Sequence, residues 1–149
     1  AHKAGEEGRV AAEVIAGESA SLDYQAMPSA VFTDPEVATV GMTRDEAESE
    51  GFEATVGEFP MRASGRALTM DETDGFVRLV ADAESGFVLG GQAVGPEASE
   101  LVAEIGLAVE MGANLDDLAA TVHTHPTLSE TVKEAAENAL DEAIHTLNR

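Results

Sequence analysis

At 149 residues the chain is one domain's worth of sequence, long enough to bury a core. Its 29 acidic residues against eight basic ones give a net charge of −21, which excludes attraction to nucleic-acid phosphates or to anionic membranes. There is no cysteine, so no thiol chemistry of its own, and no run of about 18 apolar residues that would cross a membrane.

From the N-terminus, Ala4, Val10, Ala11, Val14 and Ile15 recur at helical spacing, so residues 1–16 are expected as a helix that Gly17 ends. Residues 18–29 read as a loop. The stretches 30–33 and 37–40 read as short strands broken by Asp34-Pro35, because proline has no amide to give a central ladder. Thr43-Arg-Asp-Glu46 is a capping box, predicting a short helix to about Glu50 with Gly51 as its stop. Residues 53–61 form another strand candidate, anchored by Phe59.

Arg62-Ala-Ser-Gly-Arg66 is the one basic spot in the chain and is expected as a loop, either balancing charge locally or meeting a partner subunit's carboxylates. Residues 75–82 and 86–94 make the clearest hairpin, with Val77, Leu79 and Ala81 alternating onto one face. Gly90 and Gly91 point to a bulge or close backbone packing, since their spacing to Gly95 does not match a G-x-G-x-x-G phosphate loop. Pro96 fits the first position of a helix running to about Met111, with Leu101, Ile105, Ala108 and Val109 inward and Glu97, Glu100, Glu104 and Glu110 outward. Gly112 ends it, and Asn114 caps a shorter helix through Ala119. A last helix carries Leu128, Val132, Ala135, Ala139 and Ala143, a narrow stripe suited to close packing. The expected class is α+β, an antiparallel sheet with packed helices.

Chemistry concentrates just before that last helix, in His123-Thr-His125-Pro-Thr-Leu-Ser-Glu130. Histidine is the side chain suited to move protons near neutral pH. Proline favours an extended residue before it and makes a cis bond cheap, and Thr127-Leu-Ser-Glu130 reads as a capping box. An imidazole on a stiff turn thus faces a carboxylate on the next helix's first turn. From the residues alone His125 is more readily a buried histidine that satisfies backbone groups. His123, His125 and Glu130 could also approach a metal, although no fourth ligand is evident.

This stretch resembles the C-terminal signature of the dihydrolipoamide dehydrogenases, flavoproteins of the pyridine nucleotide-disulfide oxidoreductase family. The resemblance runs through Ala1-His-Lys-Ala4, Phe32-Thr-Asp-Pro-Glu-Val-Ala-Thr-Val-Gly41, Ala63-Ser-Gly-Arg-Ala67, Gly90-Gly91 and Glu104-Ile-Gly-Leu-Ala-Val-Glu-Met-Gly112. It implies that 1–17 is the terminal helix of an FAD-binding domain, 18–29 a linker and 30–149 the dimerisation domain. It implies a homodimer that oxidises dihydrolipoamide, free or on a lipoyl domain, with FAD and NAD held mainly by domains absent from this chain. The chain begins inside a motif, so a truncated N-terminus and an inactive isolated segment are expected. By the same carry-over His125 takes the dithiol proton in trans and Glu130 supports the imidazole. Ala1 and His2 touch FAD, chiefly through backbone amides at a helix N-terminus. His123 has no necessary role, and His145 is a surface residue near a helix end.

A glutathione-reductase-like enzyme shares the His-Pro-Thr and the downstream Glu, but Leu128 and the opening Ala1-His-Lys favour the lipoamide family. A non-catalytic acidic dimerisation module is the remaining alternative. The hydrophobic share of 44% argues against disorder, and the carboxylates are spread over every helix with only Lys3 and Lys133 as lysines. A halophilic, cytoplasmic source is expected.

Overall fold

All the expected strands form, and they join one five-stranded antiparallel sheet in the order β1-β2-β5-β4-β3: β1 (Ser29–Val31), β2 (Glu36–Gly41), β3 (Ala54–Pro60), β4 (Phe76–Asp82) and β5 (Val88–Gly95). The structure, a computed structural model, describes residues 1–148. Its helices are α1 (His2–Ile15), α2 (Arg44–Ser49), α3 (Gly65–Met70), α4 (Ala98–Met111), α5 (Leu115–Ala120) and α6 (Glu130–Ala139).

Strand alternation sorts the sheet into two faces. Ala38 and Val40 on β2, Val77, Leu79 and Ala81 on β4, and Ala93 on β5 are buried in one core with Leu101, Ile105 and Val132 of α4 and α6. On the opposite face Val80 joins a small cluster with Val56 and with Ala47 of α2. That face otherwise carries polar pairs, such as Arg78, whose Nη2 donates to Glu58 Oε2 at 2.6 Å.

Two glycines let helices approach the sheet. A Cβ on Gly91 would stand 3.0 Å from Ile105 Cγ2, so the absence of a side chain seats α4. A Cβ on Gly57 would overlap the Ala135 carbonyl oxygen and stand 2.6 Å from Ala139 N, so α6 lies directly on the β3 backbone. The small-residue stripe of the last helix is therefore spent inside this chain, with Ala135 and Ala136 fully buried.

Several local signals are met. Thr43 and Asn114 each form a complete capping box, with Glu46 and Asp117. Others are corrected. The basic 62–66 stretch is not a loop: a 3-10 turn (Met61–Ala63) leads into α3, whose first amides Ser64 caps by accepting from Ala67 N. Helix α4 starts at Ala98 rather than at Pro96, because Glu97 takes a left-handed conformation as its N-cap. Helix α6 stops at Ala139, short of Ala143, since Leu140 closes it and Asp141 turns left-handed at φ 59°. No helix among the described residues is long and apolar enough to cross a membrane.

The carboxylate excess predicts a salt dependence. Lowering KCl from about 1 M to about 0.1 M lengthens the Debye length from about 3 to about 10 Å, and repulsion among the exposed acids grows. Circular dichroism and sedimentation through such a dialysis are expected to register loosening of the fold or of its association. Unchanged traces would leave the charge without a halophilic explanation.

Candidate active site

The turn before α6 holds its imidazole by short-range chemistry. The His125–Pro126 bond is cis, and the Thr127 hydroxyl donates to the Thr124 carbonyl at 2.7 Å. The start of α6 has no side-chain cap bond, so only half of the expected capping box forms: the Thr127 amide donates to Glu130 Oε2 at 2.8 Å. The other oxygen, Glu130 Oε1, lies 2.9 Å from His125 Nδ1. One carboxylate therefore fixes the backbone of the turn and the ring it carries.

The two partners differ in exposure. His125 is 76% exposed and Glu130 28% exposed as side chains, so Nε2 is accessible while the carboxylate is largely enclosed. Burial pushes the Glu130 carboxyl up, but the Thr127 amide and the His125 imidazole outweigh it and hold the group below the ordinary value of 4.5. A group depressed in this way favours the folded chain while ionised, and that contribution is lost as pH falls through its folded value. With Nδ1–H donated to a carboxylate, Nε2 is the lone-pair nitrogen and is fit to accept a proton from outside.

A cavity of about 230 Å³ opens beside the pair, lined among others by Phe59, Gly65, Leu68, Thr131 and Glu134. Gly65 is the first residue of α3, and a Cβ there would lie 3.7 Å from His125 Cε1, so this short helix forms the wall against the imidazole. A wider cavity of about 710 Å³ on the polar side, lined by Glu58, Arg78 and Gln92, has no histidine in its lining and offers no comparable proton acceptor.

The other sequence-stretch residues separate. His123 and His125 do not converge on one point: His123 Nε2 turns to Glu104 Oε1 at 2.7 Å, so Glu104 is a partner rather than an outward, solvated acid. Among the described residues no group of three His, Asp or Glu is arranged to hold a metal ion. His145 is a surface residue as expected, its side chain 63% exposed, and its Nδ1 lies 2.6 Å from Oε1 of Glu134, a nearly buried acid one turn beyond Glu130. Sequence reading missed Glu134 and Gly65. The four-residue step from Glu130 was the only signal for the first, and Ser64 as an N-cap for the second.

At the N-terminus Ala1 and His2 lie at the start of α1 and do not line the His125 cavity. His2 Nε2 is bonded to the Pro28 carbonyl at 2.7 Å, which ties the helix start to the strand that follows.

Comparison with known proteins decides the family. The sequence profile described as the pyridine nucleotide-disulphide oxidoreductase dimerisation domain matches residues 27–136. The chain belongs to that family. Its relatives in the pyridine nucleotide-disulphide oxidoreductases include a dihydrolipoyl dehydrogenase of Halobacterium salinarum, 70% identical over all of this chain and 31% of the relative. One of Haloferax volcanii is 67% identical over the same shares. Among solved structures, the crystal structure of LpdA from Mycobacterium tuberculosis superposes with a TM-score of 0.79 at 33% identity, over 89% of this chain and 29% of that one. The chain thus spans less than a third of the length of the curated relatives it matches. Both of these relatives come from halophilic archaea, in keeping with the acidic composition.

Proposed function

We propose that the chain is the interface part of a cytoplasmic dihydrolipoyl dehydrogenase, in which His125 accepts the dithiol proton and Glu130 orients it. The observation that carries this reading is the 2.9 Å contact of a largely enclosed carboxylate with Nδ1 of an accessible imidazole. The names of the relatives supply the substrate class, a dihydrolipoyl group, and favour it over a glutathione-like disulfide.

The chemistry assigned to this chain's residues is limited and definite. A dithiol sulfur is a poor nucleophile until it loses its proton, because thiolate rather than thiol attacks a disulfide. His125 Nε2 takes that proton, and the positive ring is stabilised by Glu130 Oε1 through Nδ1–H. The thiolate then attacks a disulfide, which this cysteine-free chain does not contain and which the reading places on the partner subunit of a homodimer.

FAD and NAD supply the onward electron and hydride transfer when bound. The sequence has no G-x-G-x-x-G loop, but the start of α1 offers backbone amides with no side-chain cap and no acid in its first turn. Ala1 and His2 would therefore touch FAD by backbone, the His2 ring being engaged by Pro28. On the same reading, 1–17 belongs to the FAD-binding domain, 18–29 is a linker and 30–149 is the dimerisation domain.

Glu130→Gln in the complete protein tests the pair. The amide keeps one acceptor for the Thr127 amide, and its NH₂ group then faces His125 Nδ1, supporting neither the charge nor the tautomer. Turnover is expected to fall, and the apparent pKa of the proton-accepting step to drop with loss of the neighbouring charge. The variant also loses the acid-dependent part of stability that an ionised Glu130 contributes above its depressed folded pKa. An unmoved pH–rate profile with a simple loss of stability would make Glu130 a helix-start residue and nothing more.

A further inference from the structure

Positive charge is scarce in this chain, and most of it is spent internally. Seven of the eight basic residues lie in the described part, and five of these pair with acids of the same chain. Lys3 meets Glu7, Arg9 meets Glu6 and Glu13, Arg44 meets Glu48, Arg78 meets Glu58, and Lys133 meets Glu137. Arg62 and Arg66 remain. Both are exposed, and among the described residues neither guanidinium has an ion pair or a hydrogen bond. Arg66 even shares the lining of a cavity of about 350 Å³ with Glu97, Glu100 and Glu104, of which Glu104 is engaged by His123.

The place of these two residues is as informative as their lack of partners. They bracket the short stretch that walls the proton acceptor. Ala63, Ser64 and Gly65 line the cavity beside His125, whereas neither arginine does. Arg66 instead lines its own cavity together with Thr127, Leu128 and Ser129, the residues directly after the His125–Pro126 turn. A small dithiol inside the first cavity therefore meets no guanidinium. A body too large for its volume of about 230 Å³ stays outside, on the surface where both arginines are exposed.

We propose that Arg62 and Arg66 are a docking contact for the carrier of the substrate, an acidic protein domain bearing the dihydrolipoyl group. The planar guanidinium matches a carboxylate with two parallel hydrogen bonds, and such contact pairing survives where dense salt screens charges beyond about 3 Å. A basic carrier would be held by any of the exposed acids, without register. An acidic one is repelled by a chain of net charge −21 everywhere except here, so the two arginines fix its orientation beside His125. The inference rests on the dihydrolipoyl reading of the site.

The test uses the complete protein, the double variant Arg62→Gln/Arg66→Gln, and three reduced substrates. These are free dihydrolipoamide, free dihydrolipoate, and a lipoyl domain of strongly negative net charge carrying the group on its lysine. For the domain, kcat/KM is expected to fall about tenfold, chiefly through KM, and Arg62→Lys/Arg66→Lys to restore part of it. Free dihydrolipoamide is expected to be oxidised as before. An unchanged domain reaction would overturn the proposal, as would an equal loss with dihydrolipoamide. A loss confined to dihydrolipoate would make the arginines readers of a small carboxylate instead. Sedimentation that shows the dimer dissociating in the double variant would assign them to the partner subunit, which also overturns it. Titration of the complete protein with the oxidised lipoyl domain needs no turnover, so docking is decided even if His125→Gln keeps full dithiol oxidation and the reading of the site fails.

Discussion

Replacing His125 with Gln in the complete protein is expected to remove most dithiol oxidation while the dimer stays assembled and flavin stays bound. Loss of a positioned general base costs ~10²–10⁴-fold in rate. The accessible ring packs on little of its own chain, at 76% exposure, so stability is expected to change little. The same variant tests catalysis across the interface. It is mixed with a variant whose redox cysteines are replaced, and the subunits are allowed to exchange. Each parent lacks an essential group at both sites, whereas a heterodimer has one site with intact cysteines and an intact His125. Activity recovered to about half of wild type per dimer is the expected result by that count. Background activity despite exchange verified by mass would mean that His125 serves its own subunit or none.

The largest effect on folding is expected from one methyl group at Gly57. Its Cβ would overlap the Ala135 carbonyl oxygen and stand 2.7 Å from Ala139 Cβ, and neither backbone can yield without moving α6 off β3. Overpacking at such a contact costs about 3 kcal/mol or more, a large part of a domain's usual margin. Gly57→Ala is thus expected to lower the thermal midpoint by several degrees and to lower turnover as well, because α6 carries Glu130. Gly5→Ala is the control: nothing lies within 4 Å of a Cβ there, and alanine is the better helix former. Equal midpoints for the two variants would show that α6 does not bear on β3 as described.

Both predictions fall on features of unequal legibility. The His125–Glu130 pair could be read from six residues of sequence, because proline and the helix start restrict the chain locally. The capping box at Thr43 and the cap at Asn114 were legible for the same reason, as was the alternation of Val77, Leu79 and Ala81. What escaped depends on distant partners. The value of Gly57 lies in an approach by Ala135, and the partner of His123 is a carboxylate on another helix. Helix α3 escaped because six residues starting at a glycine carry too short a period to register. The Thr127 hydroxyl donates to the Thr124 carbonyl, a use that the capping-box pattern did not foretell.

Helix α6 meets its neighbours around much of its circumference. Glu130 holds His125, Glu134 holds His145, Ala135 and Ala139 lie on Gly57, and Asn138 Oδ1 accepts from the Glu58 amide at 3.0 Å. Each residue of an α-helix is turned about 100° from the last, so one inserted between Glu130 and Glu134 would swing every later contact away from its partner. None of its ten residues is exposed, so this helix is expected to resist substitution, and a change of length still more. Where the chain leaves the helix at Asp141, that constraint lapses, and insertions and deletions among descendants are expected to begin there.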